Sequence, residues 1–251
     1  MTSHLYILTG SSRGMGLAMA EQLLGPNHRL LCIARNPNEA LSVQAQKVNC
    51  PMEQWAQDLE HSAQAADRLA QWLTLQDARD LSSATLINNA GAIPRIAPLS
   101  GSDPLDLARA LRVGLEAPML LTAAFLKATQ AWNLPRKVLN ISSGLGRRAM
   151  ASQAAYCAAK AGMDHFTRCV ALDEALKPHG AKVCSLAPGV IDTDMQVQLR
   201  GADSAEFPDK INFENLKLKG QLTSPTDAAR QVLNYLGRPE FGASPVADIR
   251  D

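Results

Sequence analysis

The chain has 251 residues, 46% of them hydrophobic, and a formal net charge of +1. That length carries one sizeable core and fits a single α/β domain of the larger kind, with no linker to mark a second. The basic residues are scattered, which excludes the charged footprint of a nucleic-acid binder or of a protein held on an anionic membrane. No apolar run is long enough to span a bilayer and no N-terminal signal pattern is present, so a cytoplasmic location and a small-molecule partner are expected. The five cysteines, Cys32, Cys50, Cys157, Cys169 and Cys184, include no C-x-x-C pair, and the five histidines lack ligand spacing, so neither a disulfide framework nor a metal site is expected.

Leu5-Tyr-Ile-Leu-Thr9 is an apolar, β-favouring run that passes into Gly10-Ser-Ser-Arg-Gly-Met-Gly16 and then into the helix-forming stretch from Leu17 to Leu24. Strand, glycine loop and helix in that order set a helix N-terminus against a phosphate. The spacing is G-x-x-x-G-x-G, not the commoner G-x-G-x-x-G, and glycines at 10, 14 and 16 let the backbone approach a pyrophosphate. The second strand runs from Arg29 to Arg35. An acidic residue at its end would grip the ribose hydroxyls of NAD; Arg35 stands there instead, with Arg13 in the loop, and two guanidiniums favour the 2′-phosphate of NADP.

Residues 36–50 are polar and irregular, with room for a short helix at most, and read as a mobile connection. Met52 to Leu59 is a third, weaker strand whose Asp58 is expected to face an adenine ring. Residues 62–79 form an amphipathic helix with Ala66, Leu69, Ala70 and Leu73 inward, and Ala84 to Gly91 is a fourth strand ending in a polar turn. This alternation predicts an α/β fold, a single doubly wound parallel sheet of Rossmann type with helices on both faces and ligands beyond the strand C-termini. Residues 103–131 are helical, interrupted in pattern by Gly114 and Pro118. A strand at 136–142 and a long helix after Ser152 follow, then a sixth strand from Ala181 to Gly189. From Asp192 to Gly220 polarity rises and periodicity weakens, which suggests a substrate lid at 192–220. Pro225 opens a helix capped by Ser224 or Thr226 that ends at Gly237, and a last short strand is expected near Val246.

The chemistry concentrates between Ser143 and Lys160. Val138-Leu-Asn-Ile-Ser-Ser-Gly144 reads as a buried strand entering a glycine turn, and Ala154 to Ala161 is dense in helix formers. Tyr156 and Lys160 are four apart and share one helix face, with the Ser143 hydroxyl brought beside them by the turn. A phenol is a poor acid-base catalyst at neutral pH unless a nearby cation favours its ionised form, which Lys160 can supply, while Ser143 orients a carbonyl oxygen. No side chain carries a hydride, so a nicotinamide cofactor must.

With Thr9-Gly-Ser-Ser-Arg-Gly-Met-Gly16, Asn88-Asn-Ala-Gly91, Ser143, Tyr156-x-x-x-Lys160 and Pro188-Gly-Val-Ile-Asp-Thr193 in order, the chain resembles the short-chain dehydrogenase/reductase family over nearly its whole length. The resemblance implies that Tyr156 is the general acid, that Ser143 orients the carbonyl, and that Lys160 tunes the phenol and binds the nicotinamide ribose. It implies an NADP site made of Gly10, Ser12, Arg13, Gly14, Met15 and Gly16, then Arg35, Asp58 and Leu59, then Asn89, Ala90 and Gly91 on the adenosine side. Tyr156 and Lys160 complete that site together with Pro188, Gly189, Val190 and Thr193, the last of these at the carboxamide.

One position departs from the family pattern: the asparagine that helps hold a relay water is replaced by Gly114. The C-terminal third is similar to sepiapterin reductases and to bacterial relatives that reduce vicinal diketones such as benzil. In the pterin-reducing members an aspartate near the C-terminus anchors the pterin, which makes Asp248 a substrate-binding candidate beside Ser143 and Tyr156. The implied function is an NADPH-dependent carbonyl reductase acting on a ketone or 1,2-diketone. NAD-linked oxidation of a secondary alcohol and a catalytically weak cofactor-sensing protein stand as alternatives. The resemblance also implies a homodimer or homotetramer built on the helices at 103–131 and 152–177.

Overall fold

A computed structural model describes residues 2–251. Its sheet has seven strands, β1 (Ser3–Thr9), β2 (His28–Ala34), β3 (Met52–Ala56), β4 (Leu81–Asn88), β5 (Arg136–Ile141), β6 (Lys182–Ala187) and β7 (Val246–Asp248), in the order β3-β2-β1-β4-β5-β6-β7. Every pairing is parallel. The chain winds outward from β1 in one direction and then from β4 in the other, so a crevice opens at the C-terminal edge between them.

Both faces of the sheet are covered, which is why its inner strands read as continuous apolar runs. In β1, Leu8 joins one core cluster and Leu5 and Ile7 the other; in β2, Leu30 and Cys32 oppose Leu31 and Ile33. Against the first face pack α1 (Gly14–Gln22), through Met15, Ala18 and Met19, and α9 (Pro225–Gly237), through Ala228 and Val232. Against the second pack α3 (Ser62–Thr74), through Leu69 and Leu73, and α5 (Ala117–Ala128), through Leu121 and Phe125. Each of these large side chains contributes roughly 1.5–3 kcal/mol on burial. The cap of α9 is Ser224, whose hydroxyl accepts from the Asp227 amide at 3.0 Å.

Several expectations need correction. Residues 36–50 hold a regular helix, α2 (Glu39–Lys47), whose Asn38 cap accepts from Leu41 N at 3.1 Å; only Leu41 and Ala45 are buried, so its apolar signal is thin. The helix expected over 62–79 stops at Thr74, and β4 begins at Leu81 rather than Ala84. The stretch 103–131 is divided into α4 (Pro104–Leu111), a π turn at Arg112–Glu116 and α5, the break falling on Gly114 and ahead of Pro118. The long helix α6 spans Ala154–Ala175. Residues 192–220 are more regular than their composition suggests, containing α7 (Asp194–Arg200) and α8 (Lys210–Leu218). These two helices have a small core of their own, in which Leu199 and Phe207 pack with Ile96 and Phe213 stacks on Phe207 at 5.7 Å between ring centroids.

Candidate active site

A cleft of about 630 Å³ runs along the C-terminal edge of the sheet, and the sequence candidates other than Asp248 line it. Its nucleotide half is built largely from backbone. Gly10 and Gly14 have φ of +70° and +55°, the left-handed region that favours glycine. A Cβ on Gly16 would lie 2.0 Å from the Gly10 carbonyl oxygen, so no side chain can stand where α1 meets the loop. The Thr9 hydroxyl accepts from the amides of Asn89 and Ala90 at 3.0 Å each, which stitches the Asn89–Gly91 turn to the end of β1. Arg13 and Arg35 are both on the wall; Arg13 pairs with Asp194 at 2.9 Å, an exposed contact worth on the order of 0–1 kcal/mol. Asp58 and Leu59 follow the end of β3 on the same side.

The other half is built from side chains. Ser143 caps a short turn after β5, its hydroxyl accepting from Leu145 N at 3.2 Å, and it stands near enough to the Tyr156 hydroxyl to favour the ionised phenol. Tyr156 is only 8% exposed yet reaches the cleft wall. Burial pushes its pKa up to about 12, with the Ser143 hydroxyl pulling the other way. Lys160 was expected to lower that value. Its Nζ, 5.7 Å from the Tyr156 ring centroid, donates to the Ile141 carbonyl at 2.7 Å, and its own pKa is brought down to about 8 by burial. The buried ammonium is supported by Asp164, which opposes that fall.

Asp164 had not been singled out, although 156, 160 and 164 form one i, i+4, i+8 row and that spacing is readable. It is buried in α6, and its Oδ1 accepts from Ser142 at 2.6 Å and from Ser185 at 2.7 Å. A Cβ at Gly146 would fall 2.9 Å from its Oδ2, so the turn after Ser143 is held tight against it. Gly114 is buried against α6, where a Cβ would come within 3.1 Å of the Ala159 Cβ; close helix packing takes the space an asparagine would need.

Asp248 stands apart from the wall. Its carboxylate accepts from Arg250 Nε and Nη2 at 2.7 Å each, and these bonds hold its pKa low against burial. Arg250, not Asp248, lines the cleft. Other parts of the wall that sequence reasoning did not assign include Arg148, Met150, Gln196 and Leu199, brought in by the turn before α6 and by α7.

A hydroxyl pair beside a buried ammonium, facing a glycine loop across one cleft, is what carbonyl or alcohol redox chemistry needs, and the family model described as short chain dehydrogenase matches residues 4–204. The chain belongs to the short-chain dehydrogenase family. It is 35% identical to a benzil reductase ((S)-benzoin forming) of Bacillus cereus, over 97% of this chain and 98% of that one. It is 30% identical to a sepiapterin reductase of Meriones unguiculatus, over 98% and 95%. A short-chain dehydrogenase/reductase structure from Burkholderia vietnamiensis is 32% identical, with a TM-score of 0.66 and 99% of each chain covered. The protein is thus an oxidoreductase of this family, whose members use nicotinamide cofactors. The residues here fit such a dinucleotide, because close backbone packing at Gly10 and Gly16 leaves the loop bare where a diphosphate must approach. Among the described residues no helix is long and apolar enough to cross a membrane.

Proposed function

We propose that the protein is an NADPH-dependent carbonyl reductase acting on a ketone or 1,2-diketone. The observation that carries this reading is that Ser143, Tyr156 and Lys160 meet on the wall of the cleft that the glycine loop opens. Likeness to the benzil and sepiapterin reductases supports the substrate class.

A nicotinamide cofactor held by Gly10, Gly14, Gly16, Asn89, Gly189 and Thr193 supplies the hydride. Ser143 donates to the substrate carbonyl oxygen and holds it beside the Tyr156 hydroxyl. As negative charge develops on that oxygen, Tyr156 gives it a proton, an effect worth roughly 10²–10⁴ in rate. The Lys160 ammonium, fixed by Ile141 and charge-balanced by Asp164, stabilises the phenolate left behind. Burial keeps Tyr156 in its protonated form at neutral pH, the form from which a proton is given in reduction. Arg13 and Arg35 supply the charge for a 2′-phosphate, and their exposed positions leave both free to turn toward it.

The segment 192–220 acts as the lid, with α7 bringing Leu199 and α8 bringing Phe213 to the cleft wall. The exposed Leu172 on α6 and Leu176, which follows its last residue, belong to a face suited to a homo-oligomer, whose state size-exclusion chromatography of the wild type and Leu172→Lys would report. The test of function is oxidation of NADPH and of NADH with benzil and sepiapterin. Turnover with NADPH and benzil is expected; a strong preference for NADH would sink the Arg13 and Arg35 assignment, and no carbonyl turnover would sink the function.

A further inference from the structure

Asp248 and Arg250 form a two-point pair at the end of β7. Arg250 Nε donates to Oδ1 and Nη2 to Oδ2 at 2.7 Å each, and the Arg250 amide adds a third bond to Oδ1 at 3.1 Å. Arg147 Nη2 adds an ion pair at 3.6 Å to the same Oδ2. Asp248 thus already accepts three bonds from Arg250, and its side chain is 8% exposed. The guanidinium is 64% exposed, and two of its five N–H groups hold the carboxylate, which leaves three for a ligand.

Those free donors belong to a side chain that lines the same cleft as Ser143 and Tyr156. Arg250 Nη2 is the atom nearest the space a side chain at Gly144 would fill, at 3.9 Å, and Gly144 directly follows Ser143. Arg250 thus stands on the same wall as Ser143 and Tyr156, braced so that its planar head is held in place before substrate arrives. Around it Arg147, Arg148 and Arg250 are balanced by Asp164, Asp248 and Asp251, so the neighbourhood suits a neutral oxygen acceptor better than an anion.

We propose that Arg250, positioned by Asp248, is a specificity residue that donates to the second oxygen of a 1,2-dicarbonyl substrate while Ser143 and Tyr156 hold the first. The assignment rests on the carbonyl-reductase reading above. It has two consequences. The carbonyl held at Arg250 is kept from Tyr156, so reduction stops at the hydroxyketone. A ring that needs a carboxylate to accept from its amino groups finds Asp248 already engaged, which ranks pterin substrates below diketones.

Benzil and deoxybenzoin isolate the second oxygen, since deoxybenzoin is benzil with one carbonyl replaced by CH2. Their intrinsic reactivities differ, so the informative quantity is how the ratio of their kcat/KM values changes between wild type and variant. Arg250→Met is expected to lower the benzil-to-deoxybenzoin ratio about 10- to 100-fold, the range for a lost charged hydrogen bond, almost all of it through benzil. Arg250→Lys, which keeps one donor, is expected to fall between. Asp248→Asn, which loosens the brace, should raise KM for benzil with little effect on deoxybenzoin. NADPH affinity, read by fluorescence titration, should stay within about twofold in all three, which reports that the fold and the glycine loop are intact. If wild type reduces benzil and the ratio is the same in Arg250→Met, the Arg250 assignment is overturned and the reductase reading stands. If wild type reduces neither ketone, both fall together.

Discussion

The two halves of the cleft are made in different ways. The nucleotide half is shaped by main chain: glycines at 10, 14 and 16, a turn stitched to Thr9, and the end of β2. The substrate half is shaped by side chains from four distant segments, the turn after β5, helix α6, helix α7 and the end of β7. A half built from main chain tolerates little change at its few glycines, because a new Cβ meets atoms that cannot move. A half built from side chains can be retuned one residue at a time.

Tyr156→Phe breaks the second half most severely. It is expected to lower kcat/KM with benzil about 10²- to 10⁴-fold while NADPH affinity stays the same, measured by initial rates and fluorescence titration. Gly16→Ala tests the first half. Its Cβ would lie 2.0 Å from a backbone oxygen, so a loss of about 1–3 kcal/mol or more is expected, read as a lower denaturant midpoint, together with weakened cofactor binding. Arg13→Ala and Arg35→Ala should each weaken NADPH about tenfold and leave NADH unchanged, the modest size reflecting the exposure of both side chains.

The smallest effect is a pH dependence that links the halves. The Lys160 pKa lies near 8, below its ordinary value, so its charge is present at neutral pH and is lost as pH rises through about 8; kcat/KM for reduction is expected to fall there with a single-proton slope. The sign for stability is opposite. Between about 8 and the ordinary lysine value the unfolded chain binds the extra proton, so this group favours unfolding most at low pH and progressively less as pH rises. Lys160→Met should therefore raise the denaturant midpoint more at pH 7 than at pH 9.5.

The contrast between the halves also explains what could be read without coordinates. The glycine loop, Asn89 and the Tyr156–Lys160 row are local patterns in which spacing and residue type carry the geometry. Helix α2 could be read only as a possible short helix in a mobile connection, because only Leu41 and Ala45 are buried and its start is marked by a single Asn38 cap. Helices α7 and α8 were hidden for a related reason: their apolar residues pack on Ile96, some hundred positions away, and leave no local period. Arg250 reaches the cleft because Ala187 of β6 pairs in register with Asp248 of β7, a relation no window of sequence contains. The place of Lys160 beside Tyr156 was legible too, but not its hydrogen bond to the Ile141 carbonyl or the burial that raises the tyrosine pKa.

The π turn at Arg112–Glu116 carries one residue more than an α-helix would use over the same length. Deleting a single residue there would let the segment rewind as a regular α-helix of the same length, so Ala110 would stay in the core and α5 would keep its face on the sheet. Only the short stretch of cleft wall at Val113 would be redrawn. The π turn therefore marks a place along 104–128 where the chain can lose a residue without turning either helix away from its partners.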